Sequence, residues 1–327
     1  MTELLTGGAA IVCAAAVLCP AFSTRPILRR YPLCSDKIRG AVRIAQISDL
    51  HDCAFGREQS KLAGIISGCE PDIILMTGDI IDDSVSADEC LTAAHPARQL
   101  IDAVRRLAPV YMVMGNHESK LTKSERLGEI LSSLGVKLMG GSREQIEIRG
   151  SRILLCGADD PYCLRSHTED TVSEGFIKGM LRRGRELDER RSGGGGIAEW
   201  RDALRQAFAD VKGREEYTIL LSHRPEEYEL YRELGFDLAF SGHAHGGQWR
   251  LPPLINGVYA PHQGLFPRHA GGLYEYDGFA HIVSRGLSTR RAPRIFNRPE
   301  LCLAELSGGG GVPPQGGEPP RAGTRMK

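Results

Sequence analysis

Five short clusters of metal-ligand side chains stand out in this chain: S-D-L-H with Asp49 and His51, G-D with Asp79, G-N-H-E with Asn116 and His117, S-H with His223, and G-H-A-H-G with His243 and His245. Imidazole, carboxylate and amide donors without thiolate suit divalent ions such as Mn²⁺, Fe²⁺ and Zn²⁺. In an extended backbone residues i and i+2 point alike, so Asp49 and His51 are expected to clamp one ion. Asp79 follows Gly78, which permits a tight turn, and its two carboxylate oxygens suit a ligand shared by two ions at ~3.5–4 Å. If Asn116 binds through its amide oxygen, its neighbour His117 points elsewhere, toward whatever the metals hold, which makes it the candidate for substrate contact and proton transfer. His243 and His245 repeat the i, i+2 spacing, and Gly242, Gly246 and Gly247 admit close backbone approach to an anion. Taken singly each cluster is commonplace and each histidine reads as structural. Five in sequence, all near the ends of apolar runs, point to a two-metal centre.

Those runs are the elements that must position the ligands. Residues 43–48, 72–77, 109–114, 152–157, 217–222 and 237–241 are short and rich in branched residues, which predicts buried strands. Between them 58–68, 87–107, 123–134 and 199–208 carry helical spacing, so the body is an α/β fold with helices on the sheet faces. In open α/β sheets ligands bind beyond the carboxyl ends of strands, and the five clusters lie there, which predicts that they converge on one rim.

The chain has 327 residues, 41% of them apolar, and 41 basic residues balance 41 acidic ones, so no charge excess argues for a nucleic-acid partner. Nine cysteines, odd in number and without C-x-x-C spacing, read as reduced thiols in a reducing compartment. From Leu4 to Phe22 runs an uncharged stretch of 19 residues, with Arg25, Arg29, Arg30, Lys37, Arg39 and Arg43 after it and no positive residue before it. That order is wrong for a cleaved signal. It predicts a membrane anchor over 1–24, a basic linker over 25–42 and a catalytic body on the cytoplasmic side, against the alternatives of an Ala-rich tail or a weak signal sequence. The charged, Gly-rich segment 178–197 reads as an exposed insertion, and 307–327 as a disordered tail, leaving 43–306 as the catalytic domain.

Taken together, D-x-H, G-D, G-N-H-E, H and G-H-x-H in this order resemble the calcineurin-like metallophosphoesterase superfamily. Beyond the ligands, G-A-D-D-P (157–161), G-H-A-H-G-G-Q-W-R-L-P, Y-A-P-H-Q-G-L-F and V-S-R-G-L are similar to its bacterial, membrane-associated phosphodiesterase branch, which includes enzymes likened to UDP-2,3-diacylglucosamine hydrolases. The resemblance covers about Arg43 to Leu306 and implies a four-layer α/β/β/α sandwich, with strands near 272–284 and 301–306 completing the second sheet. It implies two divalent metals, Mn²⁺ foremost: one held by Asp49, His51, Asp79 and His245, the other by Asp79, Asn116, His223 and His243, with His117 serving the leaving oxygen. The implied activity is hydrolysis of phosphodiester or pyrophosphate bonds, including lipid-linked or nucleotide-sugar substrates, by a metal-bridged hydroxide. Phosphomonoesterase or phosphoprotein phosphatase activity, and a non-catalytic scaffold, are the alternatives. Arg224 reads either as a phosphate contact or as part of a helix-entry turn before Pro225, and Arg285 either as a site residue or as a brace of the second sheet. Asp159 and Asp160 read as turn residues. Asp52 and Asp82 have no motif partner.

Overall fold

A computed structural model of the chain describes residues 21–84, 92–121, 124–164, 195–290 and 293–309. Two six-stranded mixed sheets make its frame. The first comprises β1 (Ile27–Cys34), β2 (Val42–Ile47), β3 (Ile73–Met76), β4 (Val110–Met112), β5 (Val136–Leu138) and β14 (Glu300–Ser307), in the order β1-β14-β2-β3-β4-β5. The second comprises β6 (Arg143–Ile148), β7 (Ser151–Ala158), β8 (Tyr217–Ser222), β9 (Leu238–Ser241), β12 (Gly272–Tyr276) and β13 (Phe279–Val283), in the order β12-β13-β9-β8-β7-β6. A small ribbon pairs β10 (Tyr259–Ala260) with β11 (Gly264–Leu265).

The interior strands β2, β3, β4 and β8 are apolar on both faces because both faces are covered. Alternate residues divide between two layers. Ile44, Leu75 and Tyr111 meet Leu155, Ile219 and Phe240 between the sheets. Ala45, Ile74 and Met112 face helices α1 (Ser60–Ser67), α2 (Pro96–Val104) and α4 (Ser124–Ser133). On the far side Leu154, Leu220 and Ala239 pack under α5 (Gly195–Ala207) and α6 (Tyr228–Glu233). Helix α2 has the pattern that burial demands, with Ala97, Leu100, Ile101 and Val104 at i, i+3, i+4 and i+7 and Pro96 at its first position. A short helix, α3 (Asn116–Lys120), follows β4.

Two expectations are corrected. Residues 25–42 are not a linker, since β1 occupies eight of them and pairs in parallel with β14 from Ile27↔Glu300 to Cys34↔Ser307. Four of the flanking cations are engaged by the body: Arg29 with Glu300, Arg30 with Glu305, Lys37 with Asp237 and Arg43 with Glu70. Pro32 is tolerated because β1 lies at the sheet edge. Residues 301–306 belong to the first sheet, not the second. Leu301 and Leu303 feed its helix-side layer while Cys302 and Ala304 feed the layer between the sheets, so this strand needs a central place, between β1 and β2.

The predicted anchor lies outside the described residues except for 21–24, where Ala21 is buried and its carbonyl accepts the Phe296 N–H at 2.7 Å. Among the described residues no helix is long and apolar enough to cross a membrane. Residues 178–194 of the predicted insertion and 310–327 of the predicted tail also lie outside them, while 195–197 open α5.

Candidate metal centre

All eight predicted site residues gather beyond the carboxyl ends of β2, β3, β4, β8 and β9, and all but the half-buried His245 are buried. The sharp turns needed there put five of them in the left-handed region: Asp49 (φ 51), His51 (φ 44), Asp79 (φ 54), His243 (φ 66) and His245 (φ 47). Such backbone is costly for residues with a Cβ and persists only where the surroundings enforce it. Here the N–H of Asp49 donates to the Gly78 carbonyl and that of His51 to the Asp79 carbonyl, both at 3.0 Å, while the His243 N–H donates to Asp49 Oδ1 at 3.0 Å. Gly78 and Gly115 allow the β3 and β4 turns to touch. A Cβ on Gly78 would lie 2.6 Å from Gly115 Cα, and one on Gly115 would lie 2.2 Å from Asp79 Oδ1.

Ligand atoms converge in overlapping trios: Asp49, His51 and His245; His51, Asp79 and His117; and Asp79, His223 and His243. Asp79 Oδ2 stands 3.5 Å from His51 Nε2, 3.2 Å from His223 Nε2 and 3.9 Å from His117 Nε2. His223 Nε2 is also 3.1 Å from His243 Nδ1, and His245 Nε2 is 3.7 Å from Asp49 Oδ1. The extended i, i+2 argument is therefore replaced: with both residues of each pair in left-handed turns, Asp49 and His51 still meet, but His243 and His245 part to serve different trios.

Polar atoms left over inside the cluster fit a cation. Asn116 Oδ1 and both ring nitrogens of His51 are buried without a hydrogen-bond partner, a costly state that a cation on the amide oxygen and on one imidazole nitrogen would relieve. His223 Nδ1 donates to the Thr77 carbonyl at 2.7 Å, which turns Nε2 toward Asp79 and His243. Burial opposes charge on His223, yet the Asp79 carboxylate, with Asp49 and Asp160 behind it, carries its pKa up to about 10. The same carboxylates would draw a divalent ion to that point. Burial, with neighbouring cationic groups, holds His243 and His245 well below the usual imidazole range, the neutral form that ligation requires.

Several contributors were not assigned from sequence. Glu118, the last residue of G-N-H-E, receives four backbone N–H groups: Asp79 and Gly115 on Oε2 at 2.8 and 2.9 Å, Ile80 and Ile81 on Oε1 at 2.7 and 3.0 Å. A Glu three residues past an N-cap Gly is a capping signal that marks this residue. Asp82, set aside for want of a motif partner, lies with Oδ2 3.4 Å from His51 Nδ1. Asp52 accepts the Asp82 N–H at 3.1 Å, and Asp83 Oδ1 lies 2.9 Å from His117 Nδ1. Carboxylates of this kind orient ligating imidazoles. His262, within Y-A-P-H-Q-G-L-F, places Nδ1 2.8 Å from His243 Nε2. Arg224 is forked on Asp160, with Nη2 donating to Oδ1 at 2.9 Å and Nε to Oδ2, which makes this pair a buried brace at the turn entered by Pro225. Asp159 accepts the Met114 N–H at 2.7 Å. Arg285 lies with Nε 3.3 Å from Glu300 Oε2, tying the end of β13 to β14 across the two sheets.

A rim of buried Asp, His and Asn donors on paired α/β sheets fits a divalent-metal centre, and the family profile gives the class: a metal-dependent hydrolase of phosphate esters. The chain belongs to the calcineurin-like phosphoesterases, whose family profile matches residues 42–247. Similar proteins include the phosphodiesterase YaeI of Escherichia coli, 24% identical over 81% of this chain and 82% of that protein. The UDP-2,3-diacylglucosamine pyrophosphatase LpxG of Chlamydia trachomatis is 26% identical over 80% of this chain and 82% of its own. A putative metallophosphoesterase of Caenorhabditis elegans, F40B5.2, is 24% identical over 87% of this chain, which spans about half of that longer protein, 53%.

Proposed function

We propose that this hydrolase is a dinuclear phosphodiesterase acting on phosphodiester or pyrophosphate bonds. The observation that carries the reading is Asp79, whose Oδ2 lies within 3.5 Å of both His51 Nε2 and His223 Nε2 and so serves two trios at once. Asp49, His51, Asp79 and His245 would hold one ion, and Asp79, Asn116, His223 and His243 the other. Oxygen and nitrogen donors without thiolate fit Mn²⁺, Fe²⁺ or Zn²⁺, and Mn²⁺ is the ion we propose. When bound, such a pair neutralises phosphoryl oxygens and lowers the pKa of an attacking water. The chain's own contribution centres on His117. Asp83 takes its Nδ1, so Nε2, facing the ligand set, is the nitrogen that hands a proton to the leaving oxygen. The relatives named as a phosphodiesterase and a pyrophosphatase support the bond class. The uncharged run over 4–22 supports a membrane-anchored enzyme with its body on the cytoplasmic side.

The test is Mn²⁺-dependent hydrolysis of bis(p-nitrophenyl) phosphate beside p-nitrophenyl phosphate, with His117→Ala as comparison. Diester turnover is expected to prevail and to fall by about 10²–10⁴-fold in the variant while its metal content stays unchanged. A preference for the monoester would make the protein a phosphomonoesterase. Loss of metal in the variant would remove His117 from its role, and silence on both esters with metal bound would favour a scaffold.

A further inference from the structure

We propose that Arg250 and Arg285 form an enclosed site for a free inorganic oxyanion, phosphate or sulfate, one layer behind the metal rim. Its ligand is held by arginines and not by the metals, so the site goes beyond the phosphodiesterase reading above.

Arg250 is 8% exposed, and its Nε and Nη1 are buried without a hydrogen-bond partner. Its Nη2 donates to Asn256 Oδ1, a neutral acceptor that leaves the charge uncompensated. Buried guanidinium groups are ordinarily matched by carboxylates, because an unpaired buried charge is strongly disfavoured. Here more positive charge stands alongside instead. A Cβ built on Gly271 would lie 3.5 Å from both Arg250 Nη1 and Arg285 Nε, so the two side chains flank one glycine. Arg285 is 9% exposed, and its Nε lies 3.3 Å from Glu300 Oε2, which Arg29 Nε also approaches, at 3.2 Å. The other oxygen, Oε1, accepts the Arg285 N–H at 3.0 Å. One carboxylate therefore answers Arg29 and Arg285, and Arg250 is left without a counter-ion among the described residues. Burial, with Arg285 alongside, lowers the Arg250 pKa to about 10, as expected of a cation short of counter-charge.

Guanidinium donors match the oxygens of phosphate and sulfate in shape as well as in charge. Both unpartnered nitrogens of Arg250 are covered by protein, which suits a free ion rather than an ester that must carry its organic part out. Position gives the ion a role. Arg250 follows the His245–Gly247 turn, and its N–H donates to the Ile295 carbonyl at 2.9 Å. Arg285 opens the segment that braces Asp49. The N–H groups of Leu287 and Ser288 donate to the Asp49 carbonyl at 3.1 and 2.6 Å, and a Cβ on Gly286 would lie 2.6 Å from Asp49 Cβ. An anion shared by Arg250 and Arg285 would thus tie together the backbone behind Asp49 and His245.

The test is calorimetric titration of sodium sulfate into the full chain, stripped of metal with EDTA, dialysed against sodium chloride and kept at constant ionic strength. One sulfate is expected to bind per chain, and Arg250→Met should weaken it by about 10-fold or more, as for loss of a charge-assisted hydrogen bond. Glycerol 3-phosphate, an ester of the same charge type, should not compete. Crystals of the unsubstituted protein grown with selenate should show an anomalous peak at hydrogen-bond distance from Arg250, a readout that stands even if Arg250→Met fails to fold. No sulfate binding, unaltered binding in folded Arg250→Met, competition by the ester, or no selenate beside Arg250 would each overturn the proposal. With the metals stripped, every one of these outcomes leaves the phosphodiesterase reading in place.

Discussion

Glu118 Oε2 accepts the backbone N–H of Asp79 at 2.8 Å, so a carboxylate outside the ligand trios fixes the one that two of them share. Burial and the nearby Asp79 charge push the Glu118 pKa up to about 7, against the four N–H groups that favour its ionised form. In Glu118→Gln the amide NH₂ must face two of those donors. Unpaired buried donors cost ~1–3 kcal/mol each, so a loss of about 2–6 kcal/mol is expected, together with reduced metal content. Urea unfolding and elemental analysis read the two effects. A variant with an unshifted midpoint and full metal would show that Glu118 only fills space.

The Arg224–Asp160 fork predicts a different pattern. Both side chains are buried, and Asp160 keeps Arg224 charged despite the cost of its burial. Asp160→Ala removes both bonds of the fork, leaving the guanidinium only Glu226 Oε1 at 3.3 Å from Nη1, and should cost about 3–5 kcal/mol, whereas replacing both residues by Arg224→Met and Asp160→Leu should restore most of the stability. A double-mutant cycle in urea measures this. If the double variant were as unstable as Asp160→Ala, the pair would be stabilising in itself rather than through mutual neutralisation.

What could be read from the chain beforehand followed the range of the forces involved. β8 was foreseen residue for residue, because Y-T-I-L-L-S is buried at every position and its apolarity is a local signal. β6, R-E-Q-I-E-I, escaped, since it is an edge strand with only its alternate residues half-buried. β1 escaped because its order comes from β14, some 270 residues later. The donors among the site residues were legible as residue types at strand ends. Their supporting carboxylates were not. Asp82, Asp83 and Glu118 acquire roles only from what folding places beside them, and an aspartate in a loop looks the same whether it faces water or His51. The left-handed backbone at Asp49 and His243 was likewise invisible, being imposed by tertiary hydrogen bonds rather than by a glycine.

Acid stability should carry the signature of His269. Burial, with Arg268 nearby, lowers its pKa from 6.5 to about 3, and Nε2 lies 2.6 Å from the Tyr276 hydroxyl. The folded state thus keeps a neutral ring where the unfolded chain binds a proton. Unfolding takes up that proton below pH 6.5, so the stability associated with the neutral ring is present above 6.5 and is lost as pH falls toward 3. The loss approaches ~1.4 kcal/mol per pH unit, about 2 kcal/mol by pH 5. His269→Gln should flatten the slope of unfolding free energy between pH 7 and 5 by about one proton. An unchanged slope would mean that the folded ring titrates normally.

His262 completes a relay from the surface to the candidate second metal position. Its Nδ1 lies 2.8 Å from His243 Nε2, while His243 Nδ1 turns toward His223 and Asp79. An outer hydrogen bond of this kind fixes the ligating ring, and its removal typically weakens metal binding by about 10–100-fold. His262 is exposed, so its replacement should spare the fold. If the protein binds two Mn²⁺ ions as proposed, in His262→Ala one of the two binding steps should lose affinity by that factor, with the other step and the thermal midpoint of the metal-free protein unchanged. Calorimetric titration of Mn²⁺ into metal-free protein separates the steps. Equal weakening of both would place His262 in the general support of the rim, and no weakening of either would mean that the Asp49 bond to the His243 backbone suffices to hold the ring.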